Sequence, residues 1–231
     1  MNIIITGASK GIGFAVAKAF AEAGNTLFLC SRNRQQLEAA AESLRSQFPS
    51  AVIHTRSANL ALKEEAIAIG EWCLKEGAPD ILVNNAGSYV PGNVHDEPEG
   101  HLEQMIAVNL YSAYYLSRTV IPAMKEKGGH IFNLCSIASL QAYKGGGSYS
   151  VSKFALLGFS KNLREEMKPF NIKVTHVMPG AVFTPAWEGS GVTQERIMEA
   201  SDIGRIIKAA SELSAQAVIE DIVLRPQLGD L

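Results

Sequence analysis

Cysteine is scarce: Cys30, Cys73 and Cys135 are the only three in 231 residues, with no CxxC pair among them. That excludes a disulfide framework and a cysteine zinc site. Each lies in apolar sequence where a small thiol packs well, as expected of reduced core residues in a cytoplasmic protein. The five histidines, His54, His95, His101, His130 and His176, show neither HxxxH nor HExxH spacing, so no metal is expected. No apolar run reaches the ~18 residues that a membrane-spanning helix needs, and no charged-then-apolar leader precedes Asn2. The expectation is a soluble, unprocessed chain without membrane association. A surplus of one charge sign is missing too: 21 Lys and Arg against 23 Asp and Glu leave a net charge of −2. The basic residues are dispersed, so nothing draws the chain toward nucleic acid, and any anion must be bound locally. Internal repeats and low-complexity tracts are absent as well.

What is present is a regular alternation. Short runs at Ile3–Ile5, Leu27–Cys30, Val52–Ile53, Ile81–Val83, Ile131–Leu134, Val174–Val177 and Ile222–Leu224, mostly of branched residues, read as buried parallel strands. Between them Phe14–Ala23, Gln35–Ser46, Glu64–Lys75, Leu102–Lys125, Tyr149–Met167 and Ile203–Leu213 carry apolar residues at three- and four-residue spacing and read as helices. Gly24, Gly77 with Pro79, and Pro169 stand where three of the helices should stop. The pattern predicts an α/β fold, a doubly wound, mostly parallel sheet of about seven strands flanked by helices. At 47% hydrophobic and 19% charged, 1–231 is long enough for one large core and too short for two ordinary domains, so a single domain is expected. The Gly145-Gly146-Gly147 triplet reads as a flexible loop.

In open sheets of this kind ligands settle beyond the carboxyl ends of the strands. Gly7, Gly11 and Gly13 follow the first strand and lead into a helix, so backbone amides and the helix N-terminus can meet a pyrophosphate with no side chain in the way. Their Gly-x3-Gly-x-Gly spacing departs from GxGxxG, and a structural turn is the alternative. The second strand ends at Cys30-Ser31-Arg32, where an acid would otherwise bind a ribose 2′-hydroxyl. Arg32, helped by Lys10, instead offers donors to a 2′-phosphate, and charge-assisted bonds of ~1.5–3 kcal/mol would favour NADP over NAD roughly ten- to a hundredfold. The alternative is two ordinary solvated side chains. Tyr149 and Lys153 are four apart on a predicted helix and share a face. A nearby ammonium pulls a tyrosine pKa down toward the range useful for general acid–base work. Ser136, at the end of the fifth strand, supplies a fixed hydroxyl for a substrate oxygen on which negative charge develops. Tyr149 and Lys153 alone are also compatible with an amphipathic helix surface.

Taken together, the residues resemble the short-chain dehydrogenase/reductase family over essentially the whole chain. Thr6-Gly7-Ala8-Ser9-Lys10-Gly11-Ile12-Gly13 resembles its TGxxxGxG cofactor loop and Asn84-Asn85-Ala86-Gly87 its NNAG element. Asn109, Ser136, Tyr149 and Lys153 match its catalytic tetrad, and Pro179-Gly180-Ala181-Val182-Phe183-Thr184 its PGxVxT segment. The resemblance implies a single Rossmann-type domain that transfers hydride between NADP(H) and a small carbonyl or alcohol. Tyr149 would be the proton donor, Ser136 would polarise the carbonyl, Lys153 would hold the nicotinamide ribose and lower the tyrosine pKa, and Asn109 would anchor a water relaying protons to Lys153. Cofactor contacts are implied for Gly7, Ser9, Lys10, Gly11, Ile12, Gly13, Arg32, Asn59, Leu60, Asn85, Ala86, Gly87, Tyr149, Lys153, Pro179, Gly180, Val182 and Thr184.

Two features depart from the pattern: Asn59 replaces a common Asp before Leu60, and Pro185–Glu199, with Trp187 and Gly189-Ser190-Gly191, forms a short flap of unfamiliar composition. Ser88, Tyr89, Val90, Ile137–Tyr143 and Trp187 are candidates to line the substrate pocket. The leading expectation is an NADPH-dependent carbonyl reductase. Its rivals are a reductase of 3-oxoacyl thioesters on an acidic carrier protein, which would dock on Lys125, Lys127 and Lys144, and an NADP-binding regulatory protein without turnover. In similar proteins the helices from Leu102 and Tyr149 form a twofold interface, and Tyr111, Tyr114 and Tyr115 cluster on the first. A homodimer or homotetramer is therefore expected.

Overall fold

The computed structural model describes residues 1–187 and 189–231. Its centre is a wholly parallel seven-stranded sheet of β1 (Asn2–Thr6), β2 (Thr26–Ser31), β3 (Val52–Ser57), β4 (Ile81–Asn84), β5 (Gly129–Leu134), β6 (Ile172–Pro179) and β9 (Asp221–Leu224) in the order β3-β2-β1-β4-β5-β6-β9. These are the seven predicted runs. The short parallel pair β7 (Val182–Phe183) and β8 (Met198–Glu199) stands apart from the sheet.

Strand pleating sorts the core into two layers. Ile3 and Ile5 of β1 with Leu27 and Leu29 of β2 face α1 (Gly11–Ala21), α2 (Arg34–Gln47) and α7 (Ala200–Ser211). Ile4 and Phe28 face α3 (Lys63–Leu74), α5 (Ser112–Met124) and α6 (Gly147–Met167). Apolar residues at consecutive strand positions are what two covered faces demand. All three cysteines are buried and unbonded, and loss of hydration pushes each thiol up to about 12. They are inert packing groups, as expected.

Two elements differ from the sequence reading. The helix predicted from Leu102 to Lys125 is α4 (His101–Ile106) and α5 joined by a π-helical turn at Ala107–Tyr111. The wider turn carries Asn109, almost fully buried, whose hydrogen bonds lie inside the molecule. Periodicity does not reveal one inserted residue; such turns recur at functional sites. The glycine triplet is not a free loop: Gly147 opens α6 with φ +35°, and Gly92 N donates to Gly145 O at 3.0 Å. A Cβ on Gly147 would stand 2.6 Å from Gly92 O and 2.7 Å from Glu97 Oε2, so the close backbone contact requires glycine.

Among the described residues no metal-holding cluster forms and no helix is long and apolar enough to cross a membrane.

Candidate active site

Chain order reverses between β1 and β4, which are adjacent in the sheet while β2 and β5 lie outside them. The glycine loop leaves β1 at this point and Asn85-Ala86-Gly87 leaves β4, so both border the crevice that such a reversal opens. Gly7 and Gly11 adopt φ of +65° and +58°, a conformation that side chains resist. Gly13 is needed for space: its Cβ would lie 2.3 Å from Gly7 O, so only glycine lets α1 pack on the loop. No side chain caps α1, which leaves first-turn amides available to an anion.

A cleft of about 340 Å³ lies here, lined by Gly7, Ser9, Lys10, Gly11, Ile12, Arg32, Asn59, Leu60, Asn85, Ala86, Gly87 and Thr184 among others. Twelve of the eighteen expected cofactor contacts thus line one cleft, and Tyr149 and Lys153 are among the six that do not. Ser31, Ala58, Val108 and Pro185 join the lining without having been expected to. Lys10 and Arg32 are exposed at the rim, and among the described residues neither is paired with a carboxylate. Gly13 lies beneath the loop, while Pro179, Gly180 and Val182 lie outside this lining. Thr184 does meet the loop, its Cγ2 standing 3.1 Å from where a Cβ on Gly11 would be. A larger opening, about 1040 Å³, lies between Gln194–Glu199, α7 and Val223–Leu228. It holds none of the glycine-loop amides.

Several expected contacts turn out to hold the loop itself. Asn85 Nδ2 donates to Thr6 O at 2.8 Å and Gly7 O at 3.2 Å, and Thr6 Oγ1 accepts from Asn85 N at 2.9 Å and Ala86 N at 2.8 Å. Ser9 Oγ bonds Ser31 Oγ at 2.9 Å. The β1 and β4 loops are therefore locked together by the buried Thr6 and the half-buried Asn85. Asn59 Oδ1 accepts from Ala61 N at 3.3 Å and keeps one lone pair for the cleft.

Beyond β5, Ser136 caps a short 3₁₀ turn at Ile137–Ser139, its Oγ accepting from Ala138 N at 3.1 Å. Its O–H remains free to turn, and its nearness lowers the pKa of the Tyr149 phenol. Lys153, almost fully buried, sends Nζ to Leu134 O at 2.7 Å and 5.8 Å from the Tyr149 ring centre. Burial pushes its pKa down to about 8. Tyr149 moves the opposite way to the sequence expectation: burial raises it, and the nearby Ser136 hydroxyl only partly opposes this. The Lys153 ammonium is committed to Leu134 O at the end of β5 and lies over the Tyr149 ring. Tyr89 packs edge-on against Tyr149 at 4.9 Å, placing one pocket candidate directly on the phenol ring.

Asn109 holds this wall from behind. Its Nδ2 donates to Ser88 O at 3.1 Å and Ser152 Oγ at 2.8 Å, Oδ1 accepts from Ser88 N at 2.8 Å, and Ser152 Oγ donates to Tyr149 O at 2.7 Å. A Cβ on Gly87 would come within 2.9 Å of Asn109 Oδ1 and 3.6 Å of Lys153 Nζ, so glycine keeps the gap between amide and ammonium open. Glu97, which no motif marks, accepts from Ser148 N at 3.2 Å and from Ser148 Oγ, and these bonds hold its carboxyl below the usual range. The flap is partly pinned, since β8 pairs with β7; Glu188, within it, lies outside the described residues.

The family model for short chain dehydrogenase matches residues 1–195. A sepiapterin reductase from Chlorobaculum tepidum is 31% identical over 239 residues, covering 99% of this chain and 97% of the relative. An alcohol dehydrogenase from Thermococcus sibiricus, complexed with 5-hydroxy-NADP, superposes with a TM-score of 0.90 at 26% identity, covering 98% of this chain and 96% of that one. L-Sorbose reductase from Gluconobacter frateurii, complexed with NADPH and L-sorbose, does so with a TM-score of 0.88 at 27% identity over 96% of this chain and 94% of that one. The match over most of the chain and the loop, cleft and tetrad geometry agree: the protein belongs to the short-chain dehydrogenase family, and is an oxidoreductase built on a single-domain Rossmann fold.

Proposed function

We propose that the protein is an NADPH-dependent reductase of a small or medium carbonyl compound, with Tyr149 as general acid, and that it runs in reverse on the alcohol. The observation that carries this reading is the placement of Ser136, Tyr149 and Lys153 around one point at the carboxyl end of β5, beside a cleft rimmed by Lys10 and Arg32. NADP or NADPH bound to the Thermococcus and Gluconobacter proteins supports the cofactor assignment. The glycine-loop amides would receive the pyrophosphate, Lys10 and Arg32 the 2′-phosphate, and Thr184 and Lys153 the nicotinamide end. Bound there, the cofactor supplies the hydride.

The chain's own residues handle the oxygen. Ala138 N occupies one lone pair of Ser136 Oγ, which leaves the O–H to donate to the carbonyl as its charge grows. The raised pKa of Tyr149 keeps the phenol protonated at neutral pH, ready to give its proton to the alkoxide. Lys153 uses one N–H on Leu134 O and has two left for the cofactor ribose and for a proton path past Asn109.

Carrier-protein docking finds less support. Lys127 pairs with Asp80 at 2.8 Å just before β4, and Lys125 packs over Phe170 at 4.0 Å just before β6, both at the amino ends of the strands and away from the site. Assembly as at least a dimer is part of the proposal, through the outer faces of the π-turn, α5 and α6.

The test is oxidation of NADPH and of NADH against aldehydes, ketones, diketones and 3-oxoacyl thioesters. Turnover is expected with NADPH, and Tyr149→Phe should cost at least about a hundredfold in kcat. A loss below tenfold would discard the mechanism, and tight NADPH binding with no turnover on any member would favour a regulatory role.

A further inference from the structure

Ser136 and Tyr149 stand at the two ends of one loop whose middle is bare. Leu140, Gln141, Ala142 and Lys144 are exposed, and among residues 140–144 only Tyr143 is drawn in. Its phenol reaches the segment after β9: Oη donates to Asp230 Oδ2 at 3.2 Å while accepting from Gln141 Nε2 at 2.7 Å. Arg225 Nη1 donates to the same carboxylate oxygen, which ties Asp230 to the residue directly after β9 and so to the sheet. The backbone of this segment holds the flap as well. Arg196, at the end of a 3₁₀ turn over Gln194–Arg196, donates from Nη1 to Gly229 O and from Nη2 to Asp230 O, each at 3.0 Å. Two residues further on, β8 begins and pairs with β7. Gly180, just after β6, is pressed against the same segment: its amide donates to Leu224 O at 2.8 Å, and a Cβ there would meet Pro226 Cδ at 3.2 Å and Ile137 Cδ1 at 3.4 Å. Residues 225–230 are therefore a strap that joins the loop after β5, the connection after β6 and the flap.

A loop with an exposed middle keeps one shape only where something holds it, and a misplacement of about 1 Å at a reacting group costs on the order of a hundredfold in rate. A carboxylate that accepts from both a phenol and a guanidinium is a directional anchor, because charge-assisted bonds are short and strong. We infer, on the reductase reading proposed above, that Asp230 is a positioning residue for carbonyl reduction. Through Tyr143 it fixes the loop that carries Ser136 and Tyr149 at its ends, and through its backbone it fixes the flap. Asp230 touches neither substrate nor cofactor in this role. Loosening the strap slows the proton transfer for every carbonyl alike, and leaves the glycine loop, and with it NADPH binding, unchanged.

The experiment measures kcat, KM for the carbonyl and the NADPH dissociation constant, well below the melting temperature, with the best aldehyde and the best ketone of the panel above. It compares the full chain with Tyr143→Phe, Asp230→Ala, Asp230→Asn and the double variant Tyr143→Phe/Asp230→Ala. Tyr143→Phe, which loses only a hydroxyl, should lower kcat about tenfold, by the same factor on both carbonyls, with the NADPH dissociation constant within about twofold. Asp230→Ala should lower kcat at least as far, and Asp230→Asn, whose amide oxygen still accepts from Tyr143, should recover most of the loss. Adding Tyr143→Phe to Asp230→Ala should cost little more, since the bond between them is already gone. Losses that multiply in the double variant, or an unchanged kcat in folded variants that merely melt earlier, would overturn the inference and leave carbonyl reduction intact. A loss in Tyr143→Phe confined to one carbonyl would mean direct contact with substrate and would overturn it too. If Asp230→Ala does not fold, Tyr143→Phe and Asp230→Asn carry the test, an unchanged kcat in the first being the adverse result. Absence of wild-type turnover on every carbonyl, with NADPH bound, would instead remove the reductase reading and this inference with it.

Discussion

Lys153 and Tyr149 show how burial sets the chemistry of single residues. The lysine is pushed down to about 8 and the tyrosine up, both by loss of hydration. Lys153 therefore carries its charge at neutral pH and loses it above about 8, while Tyr149 stays protonated throughout that range. The kcat/KM for reduction should fall as pH rises through about 8, and a profile flat to pH 9.5 would exclude the Lys153 assignment. Stability runs the other way: between about 8 and the ordinary 10.5 the folded chain binds fewer protons than the unfolded one, so stability climbs with pH across that window. At pH 7 the buried charge is a cost. Lys153→Met should abolish activity while raising the thermal midpoint, by roughly 1–3 kcal/mol of stability, because it removes a charge the fold must desolvate.

Among the elements, α6 matters most, since its first turns present Tyr149 and Lys153. It begins with two glycines and no side-chain cap of its own, and the carboxylate of Glu97, from the loop after β4, takes up the Ser148 amide instead. A negative group at a helix N-terminus is favourable, and here it also ties that loop, with Tyr89, to the phenol it packs on. Glu97→Ala should lower kcat and the melting temperature while leaving the NADPH dissociation constant within about twofold, because the glycine loop lies elsewhere. Glu97→Gln, which can still accept from Ser148, should recover most of both. Equal loss in the two variants would show that charge alone matters.

At the scale of the whole molecule, the outer face of α6 carries Val151 and Phe154, each 45% exposed, followed by Gly158 with open space where a side chain would stand. Beside it Tyr111 is equally exposed, and Tyr114 packs on Phe159 at 5.5 Å. Exposed aromatic and branched residues along adjacent helices are the surface an oligomer would cover. Light scattering at micromolar concentration should give at least a dimeric mass, and Phe154→Glu should shift it toward the monomer. A monomeric wild type would end that proposal.

The strand and helix alternation and the glycine loop were legible in the sequence because each is local: pleat and helix periods repeat over a few residues, and Gly7, Gly11 and Gly13 answer to backbone geometry within one turn. What lay beyond reach depends on contacts between residues far apart in the chain. Thr6 with Asn85, Glu97 with Ser148, and Tyr143 with Asp230 meet only once the sheet has brought their loops to one edge. The π-turn at Asn109 was hidden because one extra residue in a helix barely alters its apolar spacing. The direction of the Tyr149 shift was missed because a sequence shows which charges lie nearby along the helix, while the water removed from around them is decided by tertiary packing.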